Sequence, residues 1–153
     1  MEFIMKYISR TWRCAILYRN GKLENEGLNG YQHSYILKIC KNPGISQEQL
    51  SKMIYINKSN VTRQLTLLEQ KGFITRIPSE KDKRIMQIFP TQKASDVYPK
   101  VHALLVEWNA FLTEDFTEEE LQHLNSMMEH MMNKAMSCVE KEAEMEGKSC
   151  EKS

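Results

Sequence analysis

The sequence predicts a mainly α-helical fold with one small β-hairpin, and three observations support this. Apolar residues recur at spacings of three and four over most of the 153 residues, as on one face of an amphipathic helix. The exception lies in the middle of the chain, where two short runs of β-branched and aromatic residues flank a polar turn. Helix-capping signals separate the helical stretches from one another.

Two helices are predicted in the N-terminal part of the chain, over about residues 1–21 and 30–41. Asn42-Pro43-Gly44 then interrupts the chain, since proline cannot continue a helix and glycine favours a turn. Ser46 and Gln49 next match a capping box, in which each side chain satisfies a free amide of the first helical turn. A third helix is therefore predicted to begin at this point.

The third and fourth helices are predicted to be joined by a tight turn. The third ends near Ile54, with Leu50 and Met53 expected to face inward. Asn57 is a good cap for the fourth helix, which ends at Gly72 because glycine suits the left-handed position after a helix.

A β-hairpin is predicted to follow directly. Residues 73–77 are β-branched and aromatic, residues 78–84 are polar and turn-like, and residues 85–89 form the returning strand. Two helices joined by a short turn and followed by a hairpin give the element order of a winged helix-turn-helix.

Two more helices are predicted after the hairpin. The first begins after Thr91 and contains Pro99, which is expected to kink it. Thr117 caps the second, whose first turn holds three glutamates that favour a helix N-terminus. From about residue 140 the chain is rich in Glu and Lys and lacks bulky apolar residues after Met145, which predicts a frayed or disordered tail.

The charge distribution indicates one surface for a polyanion. The net charge is only +1, but residues 46–84 carry eight Lys/Arg against four Asp/Glu, whereas residues 111–153 carry four against eleven. Such asymmetry favours a nucleic acid as the partner of the basic middle segment.

The fourth helix has two faces of different character. Val61, Leu65 and Leu68 lie at i, i+4 and i+7 and are expected to anchor it, while the other side has no acidic residue. In the major groove arginine can bind guanine bidentately and asparagine can bind adenine, and hydroxyl groups can donate to phosphates. The candidate DNA contacts on this helix are Lys58, Ser59, Asn60, Thr62, Arg63 and Thr66.

The tip of the hairpin is cationic, with Lys81, Lys83 and Arg84 as candidate contacts. A narrow minor groove concentrates negative potential and accepts an inserted arginine or lysine. Asp82 would repel phosphate, so its predicted role is to orient a nearby arginine through a charge-assisted hydrogen bond. The alternative for this tip is a solvated charged turn. For the whole protein, the alternative is a winged-helix module that contacts another protein instead of DNA.

Six segments together resemble the MarR family of bacterial regulators, over about residues 8–135. Residues 79–84 match the family's Asp-x-Arg wing signature. Gly30 and Pro90 depart from the pattern, since relatives commonly have a small polar residue or proline at the first position and an apolar residue at the second. The six segments are Ile8-Ser9-Arg10, Glu26-Gly27-Leu28, residues 46–51, residues 58–63, residues 68–74 and residues 79–84.

The resemblance implies a triangular homodimer, in which the first and last helices of two subunits interlace. Two winged regions would then face one pseudo-palindromic operator of double-stranded DNA, with residues 57–71 as the reading helix and Arg84 as the wing arginine. The expected organisation is a dimerisation helix at 1–28, a winged helix-turn-helix at 29–90, dimerisation helices at 91–139 and a tail at 140–153.

Many members of this family are repressors relieved by small phenolic or anionic ligands, bound between the winged region and the dimerisation helices. The resemblance therefore implies a pocket here as well. Its candidate residues combine aromatic surface with polar ends. They are Trp12, Arg13, Tyr31, His33 and Tyr35.

Cys14 offers an alternative means of sensing. It precedes Tyr18 by one helical turn, which is similar to the tyrosine-activated cysteine of the family's peroxide-sensing branch. An oxidant sensor on the same scaffold is therefore a second hypothesis, and it requires an accessible thiol with a lowered pKa.

Other function classes find no support in the sequence. It has no Gly-rich phosphate loop, no nucleophile elbow and no pair of histidines at i, i+4, so we predict neither an enzyme nor a metal or cofactor site. It also has no run of about 18 apolar residues and no leader-like N-terminus. With four scattered cysteines, these features predict a cytoplasmic protein.

Overall fold

The computed structural model describes residues 3–150, and their side chains as far as residue 141. It confirms the mainly α-helical fold with a small antiparallel sheet. Internal contacts divide the chain into one unit that ends at Trp108 and another that begins at Asn109. The elements are α1 (Ile4–Leu23), α2 (His33–Lys41), β1 (Ile45–Ser46), α3 (Gln47–Ile54), α4 (Lys58–Gln70), β2 (Ile74–Pro78), β3 (Met86–Pro90), α5 (Gln92–Thr113) and α6 (Glu118–Cys150), with a 3-10 turn at Glu24–Glu26.

The caps position α3 and α4 as the sequence predicted. The Ser46 side chain accepts from the backbone N–H of Gln49, and the Gln49 side chain accepts from the backbone N–H of Ser46. Asn57 Oδ1 accepts from the backbone N–H of Asn60 at 2.9 Å and so begins α4. Between the two helices, Tyr55 ends α3 in a left-handed conformation with φ of 54°.

The core lies beneath α4. Val61, Leu65 and Leu68 are completely buried, as their spacing predicted. Leu50 is also buried, but the expectation that Met53 faces inward was wrong, because 49% of it is exposed. The short helix α3 buries only a narrow face around Leu50 and Ser51, and at about 100° per residue Met53 lies well outside it.

The hairpin formed by β2 and β3 is antiparallel, with Ile74 opposite Pro90, and its strands begin one residue later than predicted. A third strand, β1, was missed. It pairs Ile45 with Ile88 on the other side of β3, so the sheet order is β1-β3-β2. Two residues are too few to show the alternation by which a strand is recognised in a sequence.

Gly30 marks a close approach between α1 and the chain that leads into α2. A Cβ at this position would lie 2.5 Å from the carbonyl oxygen of Ile16, so no larger residue fits. The Gly30 N–H donates to Asn20 Oδ1 at 2.6 Å, and its carbonyl accepts from Arg19 Nε at 3.1 Å. This crowding accounts for glycine at one of the two positions that depart from the family pattern.

The helix α5 continues without interruption through Pro99 and contributes Ala94, Val97, Val101 and Leu104 to the core. None of the helices in the described part of the chain is long and apolar enough to cross a membrane.

The helix α6 begins as predicted, with the Glu120 N–H donating to Thr117 Oγ1 at 3.3 Å. It continues past residue 139 to Cys150, where the sequence predicted a frayed or disordered tail. Glu, Lys, Ala and Met favour helix, which accounts for the continuation. Residues 151–153 of that tail lie outside the described residues, and its fraying stays a prediction.

Candidate nucleic-acid interface

One cleft brings the predicted reading helix and the wing together. Its volume is about 320 Å³, and it lies among the starts of α3 and α4 and the beginning of β3. Helix N-termini present free amides and a partial positive charge, which suit an anion, and the cations Lys58 and Arg84 outnumber the one carboxylate of the lining, Glu48. The cleft is lined by Ser46, Gln47, Glu48, Lys58, Arg84, Ile85 and Met86.

Most of the predicted contacts of α4 are on its exposed side. Lys58, Ser59, Thr62 and Arg63 are exposed, whereas Asn60 and Thr66 are half-buried. The burial of Val61, Leu65 and Leu68 on the opposite side fixes this orientation.

The hydroxyl groups of this helix are engaged within the chain. Thr62 Oγ1 donates to the carbonyl of Lys58 at 2.8 Å, and Thr66 Oγ1 donates to the carbonyl of Thr62 at 3.0 Å. Ser59 Oγ donates to Asn57 Oδ1 at 3.1 Å. A hydroxyl that donates to phosphate must give up its internal bond, so these three side chains are less available as donors than the sequence suggested.

Gln47 is a residue of this surface that the sequence analysis missed. It lies at the start of α3, and its Nε2 donates to Thr62 Oγ1 at 2.6 Å. This bond joins the two helices of the helix-turn-helix at the rim of the cleft. The only sequence signal was its place inside the capping box, which indicates the helix start but no contact.

Asn60 and Arg63 differ in how they are presented. The Asn60 side-chain oxygen is buried and has no hydrogen-bond partner among the described residues, so its side chain must rotate before that oxygen can accept from adenine. Arg63 is exposed, and it lies close enough to Tyr35 to affect that hydroxyl. Burial raises the pKa of Tyr35, and the positive charge of Arg63 partly opposes this.

The wing carries the predicted pairing of Asp82 with an arginine. Arg84 Nε donates to Asp82 Oδ1 at 3.1 Å and Arg84 Nη2 donates to Oδ2 at 3.0 Å, while the Arg84 backbone N–H also donates to Oδ1. These bonds hold the pKa of Asp82 below its ordinary value. The Arg84 side chain remains 90% exposed, and Lys81 and Lys83 are exposed beside it.

Two of the predicted pocket residues, Trp12 and His33, lie together beside Arg19, which was not predicted to line a pocket. The ring centroids of Trp12 and His33 are 6.4 Å apart, and the guanidinium of Arg19 lies 5.2 Å from the Trp12 ring. Burial, and then the charge of Arg19, lower the pKa of His33 to about 4, although His33 Nδ1 contacts the carbonyl of Gly30 at 2.8 Å. His33 is therefore neutral near pH 7.

The other three predicted pocket residues are placed differently. Tyr35 is only 1% exposed and lies in the core with Ile36 and Ile39, so it supports the fold and does not line a surface. Arg13 and Tyr31 are exposed. Among the hydrogen bonds, ion pairs and ring contacts of the described residues, none joins the Arg13 or Tyr31 side chain to Trp12 or His33.

Cys14 is exposed on α1, as a sensing thiol requires. Tyr18, however, donates to Glu107 Oε2 at 3.3 Å and stacks on Trp108 at 4.9 Å between ring centroids. These contacts direct the tyrosine hydroxyl toward α5, and activation of Cys14 by Tyr18 stays a prediction.

Comparison with known proteins agrees with this geometry. The sequence profile of the MarR family matches residues 28–86. The HTH-type transcriptional regulator YybA of Bacillus subtilis is 30% identical over 128 residues, which are 84% of this chain and 85% of that protein.

Solved structures extend the likeness to three dimensions. The transcriptional regulator SlyA superimposes with a TM-score of 0.85 at 26% identity, over 88% of this chain and 94% of that one. A MarR family regulator from Listeria monocytogenes, crystallised with a 26-mer DNA, gives a TM-score of 0.82 at 27% identity, over 88% and 89% of the two chains. The chain belongs to the MarR family of transcriptional regulators and is a DNA-binding regulator with a winged helix-turn-helix fold.

Proposed function

We propose that the protein is a homodimeric, sequence-specific repressor that binds a pseudo-palindromic operator, with α4 in the major groove and the wing in the minor groove. The observation that carries this proposal is the cleft between the reading helix and the wing, with Lys58 and Arg84 on its walls. Both cations are exposed, and they belong to the two elements that a winged helix-turn-helix presents to DNA. We place the regulator in the cytoplasm and assign it no enzymatic activity.

The test is selection of bound duplexes from a random pool, followed by fluorescence anisotropy on the enriched sequence. A dimer requires two half-sites about one helical turn apart, roughly 10 bp centre to centre. Weak binding without any enriched sequence would contradict a regulator that recognises its operator unaided, and would leave a ligand-dependent binder or a protein-interaction module.

Two substitutions separate base reading from phosphate binding. Arg63→Ala is expected to cost about 1–3 kcal/mol and to relax base preference at one position, if this side chain reads a base edge. Lys83→Ala should weaken binding to all sequences equally and lower the salt slope by about 0.9. Lys134→Ala removes the same charge from exposed α6 and serves as the control. Equal losses on all sequences from Arg63→Ala would assign that residue to phosphate.

A second copy of the chain is the proposed partner of the terminal helices. Phe3, just before α1, and Met5 and Trp12 on α1 are each at least half exposed in the single chain, and Met127 and Met132 on α6 are too. We assign these side chains to an association surface, since large exposed apolar patches mark such surfaces. Sedimentation of the wild type at micromolar concentration should give a dimer, and Met132→Glu should shift it toward monomer. A monomeric wild type would contradict the proposal.

A small anionic effector is proposed for the group of Trp12, Arg19 and His33. Arg19 is only 2% exposed, and its Nη2 has no hydrogen-bond partner among the described residues. The Nε of Arg19 donates to the Gly30 carbonyl, but a buried N–H group without an acceptor is costly, and a carboxylate would satisfy Nη2. The half-exposed ring of Trp12 offers aromatic surface beside it.

Benzoate, the simplest aromatic carboxylate, is the probe for this site. It should weaken operator binding by the wild type but not by Arg19→Met, which keeps the buried side-chain volume and removes the charge. Arg13→Met, on the exposed side of the same helix, is the matched control and should respond like the wild type. If benzoate weakens operator binding by all three proteins equally, Arg19 does not belong to the effector site.

A further inference from the structure

A hydrogen-bonded cluster connects the reading helix α4 to β2, the strand that leads to the wing tip. Glu69, near the end of α4, accepts three bonds from Arg76 on β2. Its Oε1 accepts from the Arg76 backbone N–H at 3.2 Å, and its Oε2 accepts from Arg76 Nε at 3.0 Å and from Nη2. Arg76 Nη2 also reaches Thr66 Oγ1 at 3.5 Å, one turn earlier on the reading helix.

This cluster is better protected than the ion pair on α3. The Arg76 side chain is 20% exposed and that of Glu69 is 36% exposed, whereas Lys52 and Glu48 on α3 are 76% and 60% exposed. The side-chain bond from Arg76 lowers the pKa of Glu69, so the carboxylate is charged at neutral pH. Both side-chain N–H groups converge on Glu69 Oε2 while the backbone N–H holds Oε1, so three charge-assisted bonds fix the carboxylate.

We propose that Arg76 is a positioning residue for DNA binding, which holds the wing at a fixed angle to the reading helix through Glu69 and Thr66. The strand β2 runs from Arg76 toward the wing tip, and each residue adds roughly 3.3 Å. A small tilt of β2 at Arg76 therefore becomes a larger displacement at Arg84. Because all the side-chain N–H groups that the structure pairs point to α4, Arg76 acts through Arg84 and not by contact with phosphate.

The test is a double-mutant cycle on the selected operator, with Arg76→Gln and Arg84→Ala combined. In the wild-type background Arg84→Ala should lower affinity about tenfold, the size of one lost groove contact. In the Arg76→Gln background the same change should cost less than about twofold, because the wing is no longer held in place. Equal losses in the two backgrounds would overturn the proposal.

A second cycle distinguishes positioning from general loosening of the fold. Arg63→Ala on the reading helix should lower operator affinity by the same factor in the wild-type and the Arg76→Gln backgrounds. If the Arg63 cycle shows the same coupling as the Arg84 cycle, Arg76 is structural and the proposal fails. All affinities are measured well below the melting temperature of each variant, determined by circular dichroism.

Two further variants complete the design. If Arg76→Gln does not fold, Arg76→Lys enters the same cycles, since it keeps the charge but cannot reproduce the fork of N–H groups. Lys100→Gln breaks the ion pair between Lys100 and Glu26, which has a comparable exposure and does not involve the wing. This control should show no coupling with Arg84→Ala, and equal coupling from it would contradict a specific role for Arg76.

Discussion

The reading helix α4 and the wing tip at residues 79–85 carry the same kind of charge but are held in opposite ways. Three completely buried side chains and a capped N-terminus hold α4 against the core, and Gln32 Nε2, just before α2, donates to Gln64 Oε1 on α4. The wing tip is mostly exposed and is shaped by local bonds, such as Ser79 N–H to the carbonyl of Ile85 and the pairing of Arg84 with Asp82.

From this difference we expect that separate sets of residues determine the stability of the fold and the affinity for DNA. Substitutions beneath α4 remove buried apolar area and should act first on stability. Substitutions in the wing tip remove little buried area and should act on affinity alone. The four predictions below test that separation, from the largest expected effect to the smallest.

Leu65→Ala should destabilise the packing of the buried side of α4. Leu65 is completely buried, so its truncation should lower the free energy of unfolding by about 2–5 kcal/mol through lost burial and a residual cavity. Leu67→Ala on the same helix is the control, because Leu67 is 37% exposed, and it should change stability far less. Denaturant titration measures both, and similar losses would show that α4 is not anchored on one side.

His33, the first residue of α2, should make stability depend on pH. Its folded pKa of about 4 lies below the ordinary 6.5, so below pH 6.5 the unfolded state binds more protons than the folded state. The free energy of unfolding should therefore fall between pH 6.5 and 4, by no more than about 3 kcal/mol, and level off below that range. His33→Gln should flatten the slope between pH 5 and 6.5, and an unchanged slope would contradict the burial of a neutral His33.

The N-cap of α4 should contribute less than its buried side chains. Asn57→Ala removes the acceptor of the Asn60 N–H, which should cost about 1 kcal/mol of stability. Asn57→Ser keeps a capping oxygen and should recover most of that loss. A Ser variant as unstable as the Ala variant, in thermal denaturation, would mean that Asn57 acts in another way.

Asp82→Asn should leave the melting temperature unchanged and still lower operator affinity severalfold, because Arg84 loses the carboxylate that orients it. Affinity for random DNA should rise slightly, since a negative charge beside phosphate has been removed. Glu80→Gln makes the same charge change on an exposed neighbour and should raise both affinities. A rise in operator affinity for Asp82→Asn would show that Asp82 only repels phosphate and does not orient Arg84 for binding.

Sequence reasoning worked where a few neighbouring residues decide the outcome. The Ser46 and Gln49 capping box, the Asn57 cap and the pairing of Asp82 with Arg84 each involve groups within three residues of one another, so spacing was enough to predict them. The buried side of α4 followed from helical periodicity for the same reason. These features include most of the candidate DNA-binding surface.

Sequence reasoning failed where distant segments meet. The pairing of Ile45 with Ile88 is a contact across 43 residues, and nothing local to β1 indicated it. Arg19 was not singled out, because its partner Gly30 and its neighbour His33 come from the next segment of the chain. Met53 was misplaced because the width of the buried face depends on what packs against α3.

The sequence by itself therefore determined the helix ends, the hairpin and the cationic faces, because capping, periodicity and charge act over one or two helical turns. Only the tertiary structure decided which charged side chains are exposed to solvent and which are bound by other side chains of the protein. Arg63 and Arg76 are both arginines of the winged region, yet one is exposed and the other is held by Glu69. The reason is physical, since burial and hydrogen-bond partners depend on neighbours in space, which spacing along the chain does not specify.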